Sequence, residues 1–286
     1  NIGADKYAFL EVPLPPKSEQ SKIANYLDKK TAEIDDLIAQ KKKLLQLYKK
    51  EKEVIINQAV TKGINPDVKL KKSGVEYIGQ IPEQWDIKKL RYLGKCANGI
   101  SKSGDQFGFG FPFISYGDVY KNRILPKSVD GLVNSSETDK IAYSVIKGDV
   151  LFTRTSETIE EIGLASTCIH SVEDAVFAGF LIRFRPFKDI LFDGFSNYYF
   201  SAQIHRRFFV KEMNLVTRAS LSQELLKRLP VALPSIEEQK EIAEFLDKYI
   251  SEIESKSTKT KKLIALLTEY KTALISEVVT GKIKIN

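Results

Sequence analysis

Residues 12–34 read VPLPPKSEQSKIANYLDKKTAEI, and residues 231–253 repeat them as VALPSIEEQKEIAEFLDKYISEI. The alignment continues without a gap, at an offset of 219, as far as residues 61 and 280, and 20 of the 50 paired positions are identical. About 170 unrelated residues separate the copies, whereas the units of a stacked solenoid adjoin one another. The repeat therefore predicts two similar arms on either side of one globular insert.

Both arms are predicted to be long helices. Neither Gly nor Pro occurs in residues 18–62 or 235–280, and a Pro lies one or two residues before each segment, as is common at helix starts. In the second arm, Ser235 and Glu238 have the spacing of a capping box, which satisfies amides of the first helical turn. At about 1.5 Å per residue, each helix would be on the order of 65 Å long.

An apolar seam runs along each predicted helix and indicates that the two arms pair as a coiled coil. The pairing should be antiparallel, because the first arm ends and the second begins at the insert. The alternative is a solvated helical hairpin that only oligomerises the protein. If the seam is buried, Leu263→Asp should cost a few kcal/mol. The seam residues are Leu27, Ile34, Leu37, Leu44, Tyr48 and Ile55 in the first arm, and Leu246, Tyr249, Ile253, Leu263, Leu267, Tyr270 and Leu274 in the second, with polar interruptions at Lys30, Lys41, Lys256 and Thr260.

Between the arms, the composition changes to that of a globular domain. A turn-rich linker, residues 63–84, contains Gly and Pro, and the insert, residues 74–233, is long enough for a sizeable core. Residues 195–213 predict a helix. The fold class is therefore predicted as α+β, with one mixed α/β domain flanked by two long helices. The runs that predict strands are FPFISYGDVY (111–120), IAYSVI (141–146), DVLFTRT (149–155) and AVFAGFLIRFRP (175–186).

No pattern in the sequence supports catalysis, a metal site or a bound cofactor. His170, His205, Cys96 and Cys168 lack partners at ligand spacing, so we predict that the chain is not an enzyme. The Gly-rich run at 107–113, FGFGFPF, lacks the Gly-Lys-Ser/Thr of a phosphate loop, and its alternating Phe residues predict a strand. Two Cys, no apolar run of membrane length and no signal sequence predict a cytoplasmic protein without a membrane partner.

The charge alone does not identify a partner. The chain carries +7, but residues 74–233 hold 20 basic and 18 acidic side chains and therefore only +2. A DNA duplex carries one negative charge per about 1.7 Å, and non-specific affinity follows the number of neutralised phosphates. The insert would therefore need a local basic patch, a second similar domain or basic partner subunits to hold DNA.

Three features of the sequence resemble the DNA-specificity subunits of type I restriction-modification systems. They are the repeated Leu-Pro, Glu-Gln and Ile-Ala opening of each arm, IGQIPEQWDIKKL at 78–90, and IKGDVLFTRT at 146–155. The resemblance implies that the insert is a target-recognition domain for one half of a split duplex-DNA sequence. It also implies that the arms dock methyltransferase subunits and, through them, restriction subunits. Catalysis, methyl donor, metal and ATP would belong to these partners, in a bacterial or archaeal cytoplasm.

The sequence departs from the family pattern in one respect, since the family commonly has two recognition domains per chain and this sequence shows one. Residues 1–9 align with residues 220–228, which end a recognition domain. Two explanations stay open, the C-terminal half of a longer protein or a half-subunit that forms a homodimer. The predicted order is 1–17 as lead-in or tail of a preceding recognition domain, 18–62 as spacer helix, 63–84 as linker, 74–233 as recognition domain and 234–286 as second spacer helix.

Three turn-like places in the insert concentrate side chains suited to DNA. Arg and Lys pair with guanine edges, whereas Ser and Thr mostly position phosphates. Two other classes of protein stay open beside the DNA-recognition subunit, a coiled-coil scaffold whose insert binds protein and, more weakly, a self-sufficient nuclease. The predicted DNA-binding residues are Lys102 in the first place, Ser115, Tyr116, Lys121 and Arg123 in the second, and Arg154, Thr155 and Ser156 with Thr217 and Arg218 in the third.

Overall fold

The computed structural model describes residues 13–156, 161–212 and 219–285. The helices are α1 (Lys17–Lys62), α2 (Tyr116–Lys121), α3 (Glu137–Ala142), α4 (Asp193–Ser201), α5 (Ile204–Glu212), α6 (Gln223–Lys227) and α7 (Ile236–Val279). The strands are β1 (Leu70–Lys72), β2 (Gln80–Pro82), β3 (Asp86–Lys89), β4 (Gly94–Asn98), β5 (Phe107–Ile114), β6 (Leu132–Val133), β7 (Val150–Thr153), β8 (Thr155–Ser156), β9 (Ala165–Thr167), β10 (Val176–Phe177), β11 (Leu181–Pro186), β12 (Ala219–Ser220) and β13 (Pro230–Leu233).

The chain forms two compact units. Residues Lys52–Ile250 form the globular unit, and the residues up to Glu51 form the helical unit together with those from Ser251. Helix α1 begins in the helical unit and ends in the globular unit, whereas α7 begins in the globular unit and ends in the helical unit. The two long helices therefore run in opposite directions, as the sequence predicted.

In the helical unit, α1 and α7 pack on each other through a small apolar core. Its buried members are Ile34 from α1 with Leu274 and Val278 from α7. Beside them, the Lys271 ammonium pairs with the Asp35 carboxylate at 2.6 Å. This ion pair is largely exposed and contributes little, so the apolar contact is the main stabilising interaction between the helices here.

The predicted seam is only partly buried. Ile34 and Leu274 are buried, but Leu37, Leu263 and Tyr270 are 36, 40 and 56% exposed. A single pair of helices covers one narrow stripe on each partner, and seam residues at the margin of that stripe stay in contact with water. The expectation that Leu263 is buried is therefore wrong for the structure described.

This difference predicts unequal effects of two substitutions in α7. Leu263→Asp should change the free energy of unfolding by less than about 1 kcal/mol, because the new carboxylate remains hydrated. Leu274→Ala should lower the free energy of unfolding by about 2 kcal/mol, because it leaves a cavity where a side chain that is 4% exposed was packed. Urea unfolding followed by far-ultraviolet circular dichroism measures both. A larger loss for Leu263→Asp would show that its face of the seam is covered in solution.

The centre of the globular unit is a four-stranded antiparallel sheet in the order β4-β11-β7-β9. Along β7, Val150 and Phe152 join the larger hydrophobic core on one face, and Leu151 joins a smaller core on the other. Because both faces are covered, the apolar run of β7 is buried without alternation. A three-stranded sheet, β10-β5-β6, and the strand pairs β1-β2, β13-β3 and β12-β8 surround this sheet.

The segments of the long helices that lie in the globular unit belong to its larger core. Val60 of α1 and Ile242 and Leu246 of α7 are fully buried there together with Trp85. The indole Nε1 of Trp85 donates to the Glu238 carboxylate at 2.8 Å. Burying apolar surface stabilises by roughly 25 cal/mol per Å², so these contacts attach the ends of both helices firmly to the domain.

Three of the strand predictions need correction. Residues 175–186 form two strands, β10 and β11, separated by a turn. Ser136 and Asp139 form a capping box that starts α3, so residues 141–146 are not a strand despite their β-branched composition. Ser115 forms the same motif at the start of α2, and β5 therefore ends at Ile114. In both places, local capping of backbone amides outweighs a weak preference for strand. The helix predicted over residues 195–213 consists of two helices, α4 and α5.

Candidate nucleic-acid interface

One edge of the central sheet gathers several of the loops that carry predicted DNA-binding residues. In β11, Leu181 pairs with Thr153 and Ile182 pairs with Asn98, so the residues after β4, after β7 and before β11 meet at this edge. The Ala178 amide also donates to the Ile114 carbonyl at 3.0 Å, which brings the start of α2 to the same place. We call residues 99–102, 115–116, 154–156 and 178–180 the loop edge.

Lys102 lies on the loop edge in an ion pair. Its ammonium is 3.0 Å from the Asp139 carboxylate. The backbone amide of Ser136, followed by the Lys102 ammonium, holds the pKa of the Asp139 carboxyl below its usual value. An ion pair near the surface is weak and exchangeable, so the Lys102 ammonium can pair with another anion at little energetic cost.

Ser115 and Tyr116 also lie on the loop edge, but Ser115 has a structural role. Its hydroxyl donates to the Asp118 carboxylate at 2.6 Å and accepts from the Asp118 amide. The Tyr116 ring stacks on Tyr120, with 5.8 Å between centroids. Ser115 therefore caps the start of α2, and the Tyr116 ring lies against the Tyr120 ring.

Arg154 lies on the loop edge and holds the neighbouring turn. Its backbone amide donates to the Phe180 carbonyl at 2.9 Å, and its guanidinium Nη1 donates to the Gly179 carbonyl at 3.4 Å. Directly after it, Thr155 and Ser156 form β8 and pair with β12. Thr217 and Arg218, which precede β12 in sequence, lie outside the described residues.

Arg123 lies at the other end of the sheet. Its carbonyl accepts from the Thr167 amide at 3.0 Å, and Thr167 pairs with Val150 at the start of β7. The guanidinium stacks 4.1 Å from the centre of the Tyr198 ring, which favours a role in packing. Lys121 is exposed in the last turn of α2. It is about 7.5 Å along this helix from Tyr116 of the loop edge.

Phe180 is the residue on the loop edge that the sequence analysis missed. Its side chain is 63% exposed, whereas Phe177 and Leu181 on either side of the turn are buried. The sequence prediction placed Phe180 inside one strand-forming run, AVFAGFLIRFRP at 175–186. The signal that could have identified this turn is Gly179, because an isolated Gly inside a strand pattern suggests a bulge or a close approach of another backbone segment.

Groups that usually carry covalent or metal chemistry are not prominent in the described ranges. Within residues 13–156, 161–212 and 219–285, no cluster of three His, Cys, Asp or Glu could hold a metal ion. Burial raises the pKa of the Cys96 thiol to about 11 and the pKa of the Cys168 thiol to about 12. Both thiols therefore stay protonated at neutral pH and are weak nucleophiles. None of the helices described is long and apolar enough to cross a bilayer.

Comparison with known families and proteins gives a consistent result. The sequence profile of the type I restriction modification DNA specificity domain matches residues 82–265. The EcoKI specificity subunit of the type I restriction enzyme of Escherichia coli K12 is 24% identical, with 99% of this chain and 60% of that protein covered. The putative MjaX specificity subunit of Methanocaldococcus jannaschii is 28% identical, with 100 and 62% covered. The chain thus spans about three fifths of these relatives.

Two solved structures share the fold. One, from a study of complex assembly and conformational transition of the type I R-M system, has a TM-score of 0.72 at 17% identity and covers 95% of this chain and 62% of the other. The HsdS subunit from Thermoanaerobacter tengcongensis has a TM-score of 0.58 at 16% identity, with 95 and 60% covered. At these identities, the likeness concerns the fold alone.

Proposed function

Because the chain belongs to the type I restriction modification DNA specificity family, we propose that its globular unit recognises one half of a split sequence in duplex DNA. The observation that carries this proposal is the loop edge, where turns from four places in the sequence lie side by side. Loops held by a rigid sheet are suited to base recognition, because little conformational freedom is lost on binding. Lys102, Arg154, Thr155 and Ser156 stay the candidate contacts, and Arg218 stays a prediction.

In this proposal, the long helices act as a spacer that docks methyltransferase subunits and, through them, restriction subunits. No catalytic, cofactor or metal role is assigned to this chain. In the helical unit, Leu263, Leu266 and Tyr270 of α7 are 40, 51 and 56% exposed and lie at helical spacing, so they form one exposed apolar face. Large apolar side chains on an exposed helix favour contact with another protein, which supports a docking role.

The repeat also supports a second recognition domain at the start of α1. Glu238, Gln239 and Asp247 of α7 bond to the globular unit through Trp85, residues 190–192 and Tyr198. Their identical counterparts in the first copy are Glu19, Gln20 and Asp28, and all three are exposed. The same docking groups are thus present in both copies. In the described part of the chain, these groups bond to the globular unit in the second copy.

Two sources of a second recognition domain are consistent with this proposal. In a homodimer of this chain, two identical domains would recognise an interrupted palindrome, because a symmetric protein binds symmetric half-sites. A different recognition domain preceding residue 1 in a longer protein would recognise an asymmetric site. The symmetry of the methylated sequence distinguishes the two.

Methylation mapping tests the proposed function directly. Genomic DNA is compared from cells with and without this chain, in the presence of the same methyltransferase. We expect one split motif to lose methylation when the chain is removed. Unchanged methylation, together with the absence of sequence preference on duplex DNA, would instead favour the coiled-coil scaffold.

Lys121 offers a separate prediction about the DNA backbone. Lys121→Ala should weaken binding to all sequences alike and reduce the slope of log affinity against log salt by about one unit, because one phosphate contact is lost. Titrations at two salt concentrations measure this slope. The control is Lys188→Ala, an exposed Lys after β11 that is not among the predicted DNA-binding residues. If both variants keep the wild-type slope, Lys121 does not contact phosphate.

A further inference from the structure

The turn at residues 177–180, directly before β11, has a fixed backbone. Its four consecutive carbonyl oxygens all accept hydrogen bonds within the globular unit. A turn with every carbonyl engaged in this way has little freedom to move. The donors are the Ile100 amide to Phe177 at 2.8 Å, the Leu181 amide to Ala178 at 3.0 Å, the Arg154 guanidinium to Gly179 at 3.4 Å and the Arg154 amide to Phe180 at 2.9 Å.

Two glycines let the segment after β4 press against this turn. A Cβ atom on Gly99 would lie 2.1 Å from the Ala178 carbonyl oxygen, and a Cβ atom on Gly179 would lie 3.1 Å from the Ile100 carbonyl oxygen. No other residue type permits such close approach of the two backbones. The turn is therefore packed against residues 99–101 and hydrogen-bonded to Arg154, and both contacts restrict its movement.

The Phe180 ring is the main apolar group that this turn presents to solvent. It is 63% exposed, and its flanking apolar neighbours are buried. Around it on the loop edge lie Ser101, Lys102 and Thr155, whose polar groups suit phosphates and base edges. A large ring left in water on a rigid turn gains nothing from folding, which favours a role in binding.

We propose that Phe180 is a specificity-determining residue whose ring packs on the 5-methyl group of a thymine in the major groove. This rests on the proposed recognition of DNA by the globular unit. The thymine methyl is the apolar feature by which base edges in the major groove differ from one another, and Phe is one of the side chains that contact it. Because the turn is already rigid, the ring loses little freedom on binding.

The test uses the full chain with its methyltransferase subunits and the DNA site selected from a random duplex library. Each thymine in the site is replaced in turn by uracil, which removes only the methyl group. We expect one replacement to weaken wild-type binding roughly fourfold, as for one methyl group returned to water. Phe180→Ala should bind the selected site roughly tenfold more weakly. It should respond to none of the uracil replacements, because the coupled group is gone.

Phe187→Ala is the matched control, because Phe187 is also exposed and follows the same strand at the opposite edge of the sheet. It should keep the wild-type affinity and the wild-type response to uracil. The inference is overturned if Phe180→Ala selects the same site with the same affinity. It is also overturned if the variant loses affinity but keeps the response to every replacement, as a ring wedged between base steps would give. If the wild-type chain selects no sequence at all, the proposed function itself fails.

Discussion

Gln239→Leu should lower the free energy of unfolding of the globular unit by about 3 to 5 kcal/mol. The Gln239 side chain is fully buried. Its amide oxygen accepts from the Phe192 backbone amide at 2.8 Å, and its amide nitrogen donates to the carbonyls of Ile190 and Pro234, both at 3.1 Å. Leu has a similar volume but leaves three buried backbone groups unpaired, each at a cost of about 1 to 3 kcal/mol. Urea unfolding followed by the fluorescence of Trp85, the single Trp of the chain, measures the loss.

The repeat supplies the control for this experiment. Gln20 occupies the same position in the first copy, but it is exposed and donates one hydrogen bond, to the Pro15 carbonyl at 2.7 Å. Gln20→Leu should therefore change the free energy of unfolding by no more than about 0.5 kcal/mol, as is usual for surface positions. Losses of similar size in the two variants would show that burial and hydrogen bonding of Gln239 do not stabilise the globular unit.

The globular unit should lose about 3 kcal/mol of stability between pH 6.5 and pH 4 through His205 alone. The His205 ring is 2% exposed and lies 4.7 Å from the Tyr199 ring, centroid to centroid. This burial lowers the pKa of His205 from 6.5 to about 4, because the charged imidazolium is disfavoured away from water.

The direction follows from which state takes up the proton first. As the pH falls below 6.5, the unfolded chain is protonated at His205 while the folded chain stays neutral until about pH 4, where its own pKa lies. Unfolding is therefore favoured progressively across this window, and the contribution is fully present above it. Unfolding curves at pH 7 and pH 5, followed by Trp85 fluorescence, measure the difference.

His205→Phe keeps an aromatic ring beside Tyr199 and removes the titrating group. Its stability should depend less steeply on pH than that of the wild type, by about 1.4 kcal/mol per pH unit within the window. The control is His170→Phe, which alters the exposed histidine and should leave the wild-type dependence unchanged. An equally steep dependence in His205→Phe would mean that other groups cause the acid sensitivity.

Features that depend on neighbours in sequence could be predicted. The absence of Gly and Pro from residues 18–62 and 235–280 determined two long helices to within about two residues of their observed ends, because helix termination is a local property of the backbone. The alternating Phe residues of FGFGFPF likewise predicted β5. Where two local preferences competed, as at residues 136–146, composition predicted a strand and the capping box formed a helix.

The sequence predicted individual residues of the candidate site but not how they lie together. The sequence placed Lys102, Ser115 with Tyr116, and Arg154 in three separate clusters. The pairing of β4, β11 and β7 brings Lys102 and Arg154 to one edge, and the Ala178–Ile114 hydrogen bond brings Ser115 and Tyr116 there. Strand pairing joins residues distant in sequence, so no local pattern reports it. Phe180 was missed because its exposure depends on a turn held by Arg154 and by residues 99–101.

The repeat shows most directly which features the local sequence determines and which depend on tertiary contacts. Sequence by itself determined that residues 18–34 and 237–253 belong to matching long helices, with Gln20 and Gln239 at identical positions. Only the tertiary structure decided that Gln239 is buried against the globular unit while Gln20 faces water. Helix formation is set by hydrogen bonds within a few residues. Burial is set by whichever distant segment of chain covers that helix, and identical local sequences therefore acquire different roles.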